Sequence, residues 1–200
     1  MMPVGSKPPF GGWPTHKWDS AKAGTLLTLT NNDLTAASTG EGTVIAGYGK
    51  SAGVFQVEHT IDAIGSGLSV GVAYQAVELN HETIFVENIW TLGYNGIKSN
   101  NATSTSFGGA ATSFTTGDVV GVVFNFAGNV LNIYKNGALL INTTPDPDES
   151  NIMTGYATWS QTVYPALRTY TGGGAQQVTT NFGATPFRYP GSSPMYGPTT

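Results

Sequence analysis

Several groups of residues in this chain have the types that chemistry uses. Gly67-Leu68-Ser69-Val70-Gly71 fits the G-x-S-x-G pattern of a serine nucleophile. That nucleophile needs a strand, a sharp turn and then a helix. Here Val70 to Tyr74 continues as strand. The only His after Ser69 is His81, with Glu78 the sole acid between them. Ser69 therefore reads as a strand residue. Gly47-Tyr48-Gly49-Lys50-Ser51 imitates the end of a phosphate-binding loop. Val44 stands where the first Gly of that motif belongs, and no helical pattern follows Ser51, so no helix N-terminus is there to hold a phosphate. Glu58 and Asp62 could form a glycosidase pair. On one strand they stand about 13 Å apart, whereas such pairs need roughly 5–9.5 Å. Glu78, His81, Glu82 and Glu87 lack the His-rich spacing of a metal site. Asp146, Asp148 and Glu149 lack the calcium-loop pattern. Both acidic groups read as solvated loop faces. No catalytic residue, metal or cofactor is expected.

Aromatic residues carry more. Trp90, Tyr94, Trp159, Tyr164 and Tyr170 lie at strand ends or beside Gly-rich turns. Rings near loops can stack on a sugar or anchor a peptide, or they can pack a core. Trp90 and Tyr164 read as core, while Tyr94, Trp159 and Tyr170 stay open between the two. The expected ligand-contact set is Tyr94, Asn95, Lys98, Trp159, Arg168 and Tyr170. Arg168 also fits a buried structural pair. His59 is a lone His on an apolar face and reads as core.

The elements that must position these residues are strands. Val54 to Ile61 alternates, with Phe55, Val57, His59 and Ile61 on one face. Val119 to Phe126 and Leu131 to Lys135 form a hairpin around Ala127-Gly128-Asn129. Asn136-Gly137 then signals a type I′ turn into another strand. Strand signals begin at Leu26 and recur at Leu34–Ser38, Thr43–Tyr48, Leu68–Tyr74, Ile84–Val86, Trp90–Tyr94, Tyr164–Tyr170 and Gln177–Phe182. Ser99 to Ser113 reads as a long loop with one edge strand at most. Strands separated by turns at this spacing argue an all-β sandwich.

Composition agrees. Charged residues are only 10% of the 200, Gly numbers 27 and Cys is absent. This suits many short strands joined by tight turns, and excludes disulfides and thiolate metal sites. Net charge is -4 with scattered basic residues, so no nucleic-acid partner is expected. No apolar run has the length of a membrane helix, and Pro3, Pro8, Pro9 and Pro14 interrupt the start where a secretion signal would stand. Residues 1–17 form a Pro/Gly-rich arm carrying Phe10, Trp13 and His16, with no periodicity. Residues 189–200 read as an extended tail.

With those stretches in view, the chain resembles the SPRY (B30.2-like) domain family over residues 18–188. Gly49-Lys50 precedes Phe55-Gln56-Val57-Glu58. Val70-Gly71-Val72-Ala73 follows, then Trp90 to Gly96, Gly117-Asp118-Val119-Val120-Gly121-Val122 and Ile133-Tyr134-Lys135-Asn136-Gly137. Tyr164-Pro165-Ala166-Leu167 and Asn181-Phe182-Gly183 with Phe187 close the series. The opening, from Trp18-Asp19-Ser20 to Asn31-Asn32-Asp33-Leu34-Thr35-Ala36, is similar to SPRY domains of tailed-phage virion proteins. Two places depart from the family: Ser51-Ala52-Gly53-Val54 stands where Trp or Tyr often follows Gly-Lys, and Gln75 to Glu87 is long.

The resemblance implies a single bent antiparallel β-sandwich, a concanavalin-like jelly roll, with an N-terminal arm. It implies a non-enzymatic binding domain whose end loops take protein segments. The expected role is a structural or adhesive protein of a bacteriophage particle, as capsid decoration, tail or fibre component. Such a protein would be made in the host cytoplasm and located in the virion. Its arm would contact other virion proteins, its loops a host-surface protein or glycan, and it would be present in multiple copies. The alternatives are a peptide-binding adaptor in a cell and, more remotely, a carbohydrate-binding or carbohydrate-active sandwich.

Overall fold

Short strands form here between turns that hold Gly, Asn and Asp at positive φ. The computed structural model describes residues 16–65, 67–81, 88–100, 103–106, 113–126, 130–142, 161–170 and 174–189. Among these there is no helix, only strands, numbered in chain order. One sheet runs, in spatial order, β1 (Trp18–Ala23), β4 (Gly42–Ala46), β13 (Val163–Thr169), β6 (Ser69–Tyr74), β7 (Ile89–Gly93), β8 (Ile97–Asn100) and β9 (Thr103–Ser106). The other runs β12 (Ala138–Asn142), β11 (Val130–Lys135), β10 (Val119–Asn125), β5 (Val54–Ala63), β14 (Gln176–Asn181), β3 (Thr35–Ser38) and β2 (Leu27–Thr30). Every neighbouring pair is antiparallel.

The two sheets face each other across one apolar core. Val70, Val72, Trp90 and Leu92 from the first sheet meet Val57, Ile61, Val120, Val122, Phe124 and Ile133 from the second. A smaller cluster sits on the outer face of the first sheet. There Val77 and Leu79 cover Ile45, Ala73, Ile89, Tyr164 and Ala166. The segment after β6 is thus a flap laid across that face. The Leu79 carbonyl accepts a hydrogen bond from the Thr43 amide at 2.9 Å, and the Asn80 side chain accepts one from the Thr25 amide at 2.7 Å.

His59 lies in the core, as its pattern implied. Its ring stacks on Trp18, with centroids 5.9 Å apart, and Nδ1 is 2.9 Å from the Thr180 hydroxyl. Ser69 is a buried strand residue in β6. The turn at Asn136-Gly137 has positive φ at both residues, 49° and 83°, and joins Lys135 directly to Ala138 in register, as a type I′ turn must. Asp118 locks its base. Burial pushes this carboxyl up, but hydrogen bonds from Thr115 and Asn136 and the Lys135 charge outweigh burial and hold it below its usual range.

Two strands, β1 and β8, differ from the sequence reading, and β9 is the edge strand it allowed within Ser99–Ser113. β1 begins at Trp18, ahead of the first strand signal at Leu26. Within Ser99–Ser113 the structure places the end of β8 and all of β9, paired as a hairpin. All three are polar stretches at or near the border of a sheet, where no alternation is required. The segment Ile84–Val86 lies outside the described residues.

The outer face of the second sheet carries a strap. Residues 183–189 follow β14, and Glu58 takes two hydrogen bonds from its backbone, from the Arg188 amide at 2.7 Å and the Tyr189 amide at 2.6 Å. Glu58 is only 4% exposed, so these donors replace its water. Hydrogen bonds to a charged partner are worth about 1.5–3 kcal/mol each. Glu58→Ala is expected to cost about 2 kcal/mol in urea unfolding. Amide exchange at Arg188 and Tyr189 should rise to the rate of open chain, while β5 stays protected. Unchanged exchange at those amides would show that the strap is held by other contacts.

Candidate functional site

Strand register brings the loops of one sandwich end together. Arg168 of β13 pairs with Thr43 of β4 and with Ser69 of β6, and Ser69 pairs with Gly93 of β7. Beyond that row, the Tyr94 amide donates to the Leu68 carbonyl at 2.8 Å. Gly67 packs against Tyr170; a Cβ there would stand 2.5 Å from the Tyr170 Cβ. The chain ends at Tyr94, Asn95, Arg168 and Tyr170 therefore sit together at one edge of the first sheet. Glu41, just before β4, approaches the same edge and bears on the Arg168 charge.

The side chains divide between the faces. Arg168 and Tyr170 belong to the outer face. Arg168 is fully buried, with its guanidinium 4.3 Å from the Tyr170 ring centroid, a cation–π contact of the kind that strengthens away from water. Burial lowers the Arg168 pKa, and the nearby Tyr170, Glu41 and Glu78 act against that shift. His81, itself buried, meets the Tyr170 ring edge-on at 6.2 Å. Gln176 donates to the Tyr170 carbonyl at 2.8 Å. Tyr170 is thus a half-buried ring held between a cation and an imidazole.

Tyr94 turns the other way and packs against the main core. Asn95 is exposed at the tip of the turn, where its side-chain oxygen accepts the Ile97 amide at 3.2 Å. Lys98 stands on β8 opposite Leu92. Trp159 lies outside the described residues. This end presents the exposed Asn95 side chain and the half-buried Tyr170 ring. Arg168 acts beneath it by holding Tyr170.

Other candidate chemistry is accounted for by the fold. The Glu58 carboxylate is engaged by the strap, and Asp62 accepts the Thr179 hydroxyl at 2.6 Å. After Gly47-Tyr48-Gly49-Lys50 the chain bends into β5 without a helix. No group of three or more potential metal ligands occurs among the described residues. Asp146, Asp148, Glu149, Glu82 and Glu87 lie outside those residues.

A second feature was not singled out by the sequence reading. At the opposite end of the first sheet, His16, Lys17, Trp18, Asp19, Ser20, Asp33, Gly47 and Tyr48 line a cleft of about 340 Å³. The His16 and Tyr48 rings stack nearly parallel, 8° apart, at 4.5 Å. Lys17 bridges to Asp33 at 2.6 Å. The one sequence signal was Asn31-Asn32-Asp33, three consecutive residues that the structure holds at positive φ. Phe10 and Trp13 lie outside the described residues, while His16 already packs on the domain.

Comparison with known proteins agrees with this architecture. A search of curated proteins returned no match. Among solved structures, the SPRY domain of human HERC1 superposes with a TM-score of 0.59 at 20% identity, covering 84% of this chain and 99% of that one. The TRIM65 PSpry domain gives 0.56 at 16% identity over 82% of this chain and 89% of its own. Stonustoxin gives 0.61 at 18% identity over 82% of this chain and 26% of its own. At these identities the likeness shows the shared sandwich. The SPRY domain family model matches residues 54–185, about two thirds of the sequence, and the chain belongs to the SPRY domain family.

Proposed function

We propose that this chain is a non-enzymatic binding module that captures a protein segment at the sandwich end bearing Tyr94, Asn95 and Tyr170. The observation that supports it most is the register row Thr43–Arg168–Ser69–Gly93, which gathers the loops of four strands at one edge. The Arg168–Tyr170 stack fixes an aromatic rim there before any ligand arrives, so little ordering entropy remains to oppose binding. SPRY domains generally bind protein partners, and this geometry suits that use.

The setting we propose is a bacteriophage particle, with the arm of residues 1–17 making contacts to other virion proteins. The support is the similarity of residues 18–36 to the opening of phage virion SPRY domains. Repetition on a particle lets weak single contacts hold through avidity. Purified particles probed with a labelled antibody against residues 18–188 should show regular labelling by electron microscopy. Unlabelled particles, with the protein left in the soluble cell fraction, would favour the peptide-binding adaptor instead.

A further inference from the structure

The chain carries the step Asn-Gly twice, at Asn95-Gly96 and at Asn136-Gly137. This step exposes an asparagine side chain to attack by its own backbone, because glycine has no Cβ to obstruct the approach. The glycine nitrogen gives its proton to solvent base and bonds to the asparagine Cγ. The Cγ–Nδ2 bond breaks and ammonia leaves, closing a succinimide ring. Water then opens the ring at either carbonyl, giving aspartate or isoaspartate. Water is the sole co-reactant.

The fold treats the two steps differently. Asn136 is clamped at both ends of its side chain. Its Oδ1 accepts the Val119 amide at 2.9 Å, and its Nδ2 donates to the Asp118 carboxylate at 2.7 Å. Its own amide donates to the Val119 carbonyl at 2.8 Å. Cγ cannot swing toward the Gly137 nitrogen until both side-chain bonds break. The Asp118 charge beside this side chain also opposes the anionic nitrogen that must form at Gly137.

Asn95 is exposed at the tip of the turn between β7 and β8. Among the described residues its side chain makes one hydrogen bond, in which Oδ1 accepts the Ile97 amide at 3.2 Å. That donor draws electrons from Cγ and meets the charge that builds on oxygen during attack. Nδ2, the group that must leave, is left to solvent. The Gly96 amide donates to the Gly93 carbonyl at 2.9 Å, so the turn must open before Gly96 attacks. That opening is local, since β7 and β8 stay paired from Leu92–Lys98 onward.

We propose that Asn95 is a site of spontaneous deamidation and that the Asp118–Val119 clamp shields Asn136 from the same reaction. The product sets a carboxylate where a neutral amide stood, and its isoaspartate form adds a methylene to the backbone of the turn. At the end proposed above for capture, this changes the charge and shape of the contact surface as the molecule ages. That consequence rests on the capture reading; the reaction does not.

The test holds the purified full chain in mildly alkaline buffer and follows both positions by peptide mass spectrometry. Conversion at 95 is expected to run about tenfold or more ahead of conversion at 136, the factor that one bond to a charged partner corresponds to. Asp118→Ala, which frees Nδ2 of Asn136, should speed conversion at 136 and leave 95 unchanged. Because that variant could loosen its whole hairpin, the same chain in urea is the second measurement. There the two rates should converge, since the clamp is gone. Equal rates at 95 and 136 in the folded chain would overturn the proposal. So would conversion at 136 alone, or a position 95 that converts only in urea. The readout is mass at two positions, so a failure of the capture reading leaves it untouched.

Discussion

Acid is expected to destabilise this domain from pH 6.5 downward, and His59 is the largest cause. The ring is fully buried between Trp18 and Thr180, and burial lowers its pKa from 6.5 to about 3. Nδ1 is satisfied by Thr180, while Nε2 has no hydrogen-bond partner among the described residues. A proton there would have to sit in apolar surroundings. The unfolded chain takes that proton near pH 6.5, and the folded chain does not. Stability is therefore fully present above pH 6.5 and falls as pH drops toward 3. The slope is about 1.4 kcal/mol per pH unit. Between pH 7 and pH 5 the loss is about 2 kcal/mol by the same linkage. His59→Gln, which cannot titrate but can still meet Thr180, should flatten the profile over that window. Urea unfolding at pH 7, 6 and 5 for both proteins decides it. Parallel profiles would place the acid sensitivity elsewhere.

Gly71→Ala should be among the most damaging single changes in the domain. Gly71 sits mid-strand in β6, between Ala166 and Thr91. A Cβ there would collide with the Trp90 carbonyl oxygen and stand 2.8 Å from the Thr91 Cα. Both atoms are backbone of the adjacent strand and cannot rotate aside. Relief would require moving β7 and with it Trp90, which is fully buried. Overpacking of side chains alone costs about 1–3 kcal/mol, and a backbone clash should reach or exceed the upper end. Gly121→Ala is the control. Gly121 is also mid-strand, but its Cβ would meet only the Tyr134 Cβ at 3.6 Å. That change should be neutral or gain up to about 1 kcal/mol through lower entropy of the unfolded chain. Equal melting temperatures for the two variants would contradict the packing account.

What the sequence showed, and what it hid, divides along physical lines. β5 and the Asn136-Gly137 turn were legible because their signals are local: a period of two, and residues that tolerate positive φ. β1, with the sequence Trp18-Asp19-Ser20-Ala21-Lys22-Ala23, buries only Trp18 fully among its residues, so its alternation is faint. β9 reads Thr-Ser-Thr-Ser at a sheet edge and has no apolar face to announce. The candidate site was partly legible. Tyr94, Asn95 and Tyr170 read as loop residues, but whether each ring faces core or rim depends on register between strands far apart in sequence. Arg168 fits both a ligand contact and a buried structural partner in the sequence, and the structure buries it. The Tyr170 ring lies against it and the Glu78 charge of the flap bears on it, and neither relation is visible in the residues beside it. The Glu58 strap was hidden for the same reason, since residues 183–189 have no period and their amides matter only once the fold places them. The His16–Tyr48 cleft joins residues separated by a hairpin, and a local pattern cannot announce it.

The measurement that tests capture at the Tyr94–Asn95–Tyr170 end most directly is site-specific photo-cross-linking on the full chain. A photoreactive residue replaces Asn95, which is exposed, or, as control, Thr60, which is exposed on the outer face of the other sheet. Each protein is mixed with solubilised particle and host-surface proteins, illuminated, and its adducts are sequenced by mass spectrometry. The account predicts adducts to a defined protein segment from position 95, none from position 60, and loss of the adduct when Tyr170→Ala is added. Equal adducts from both positions, or none from 95 while 60 cross-links, would contradict capture at this end.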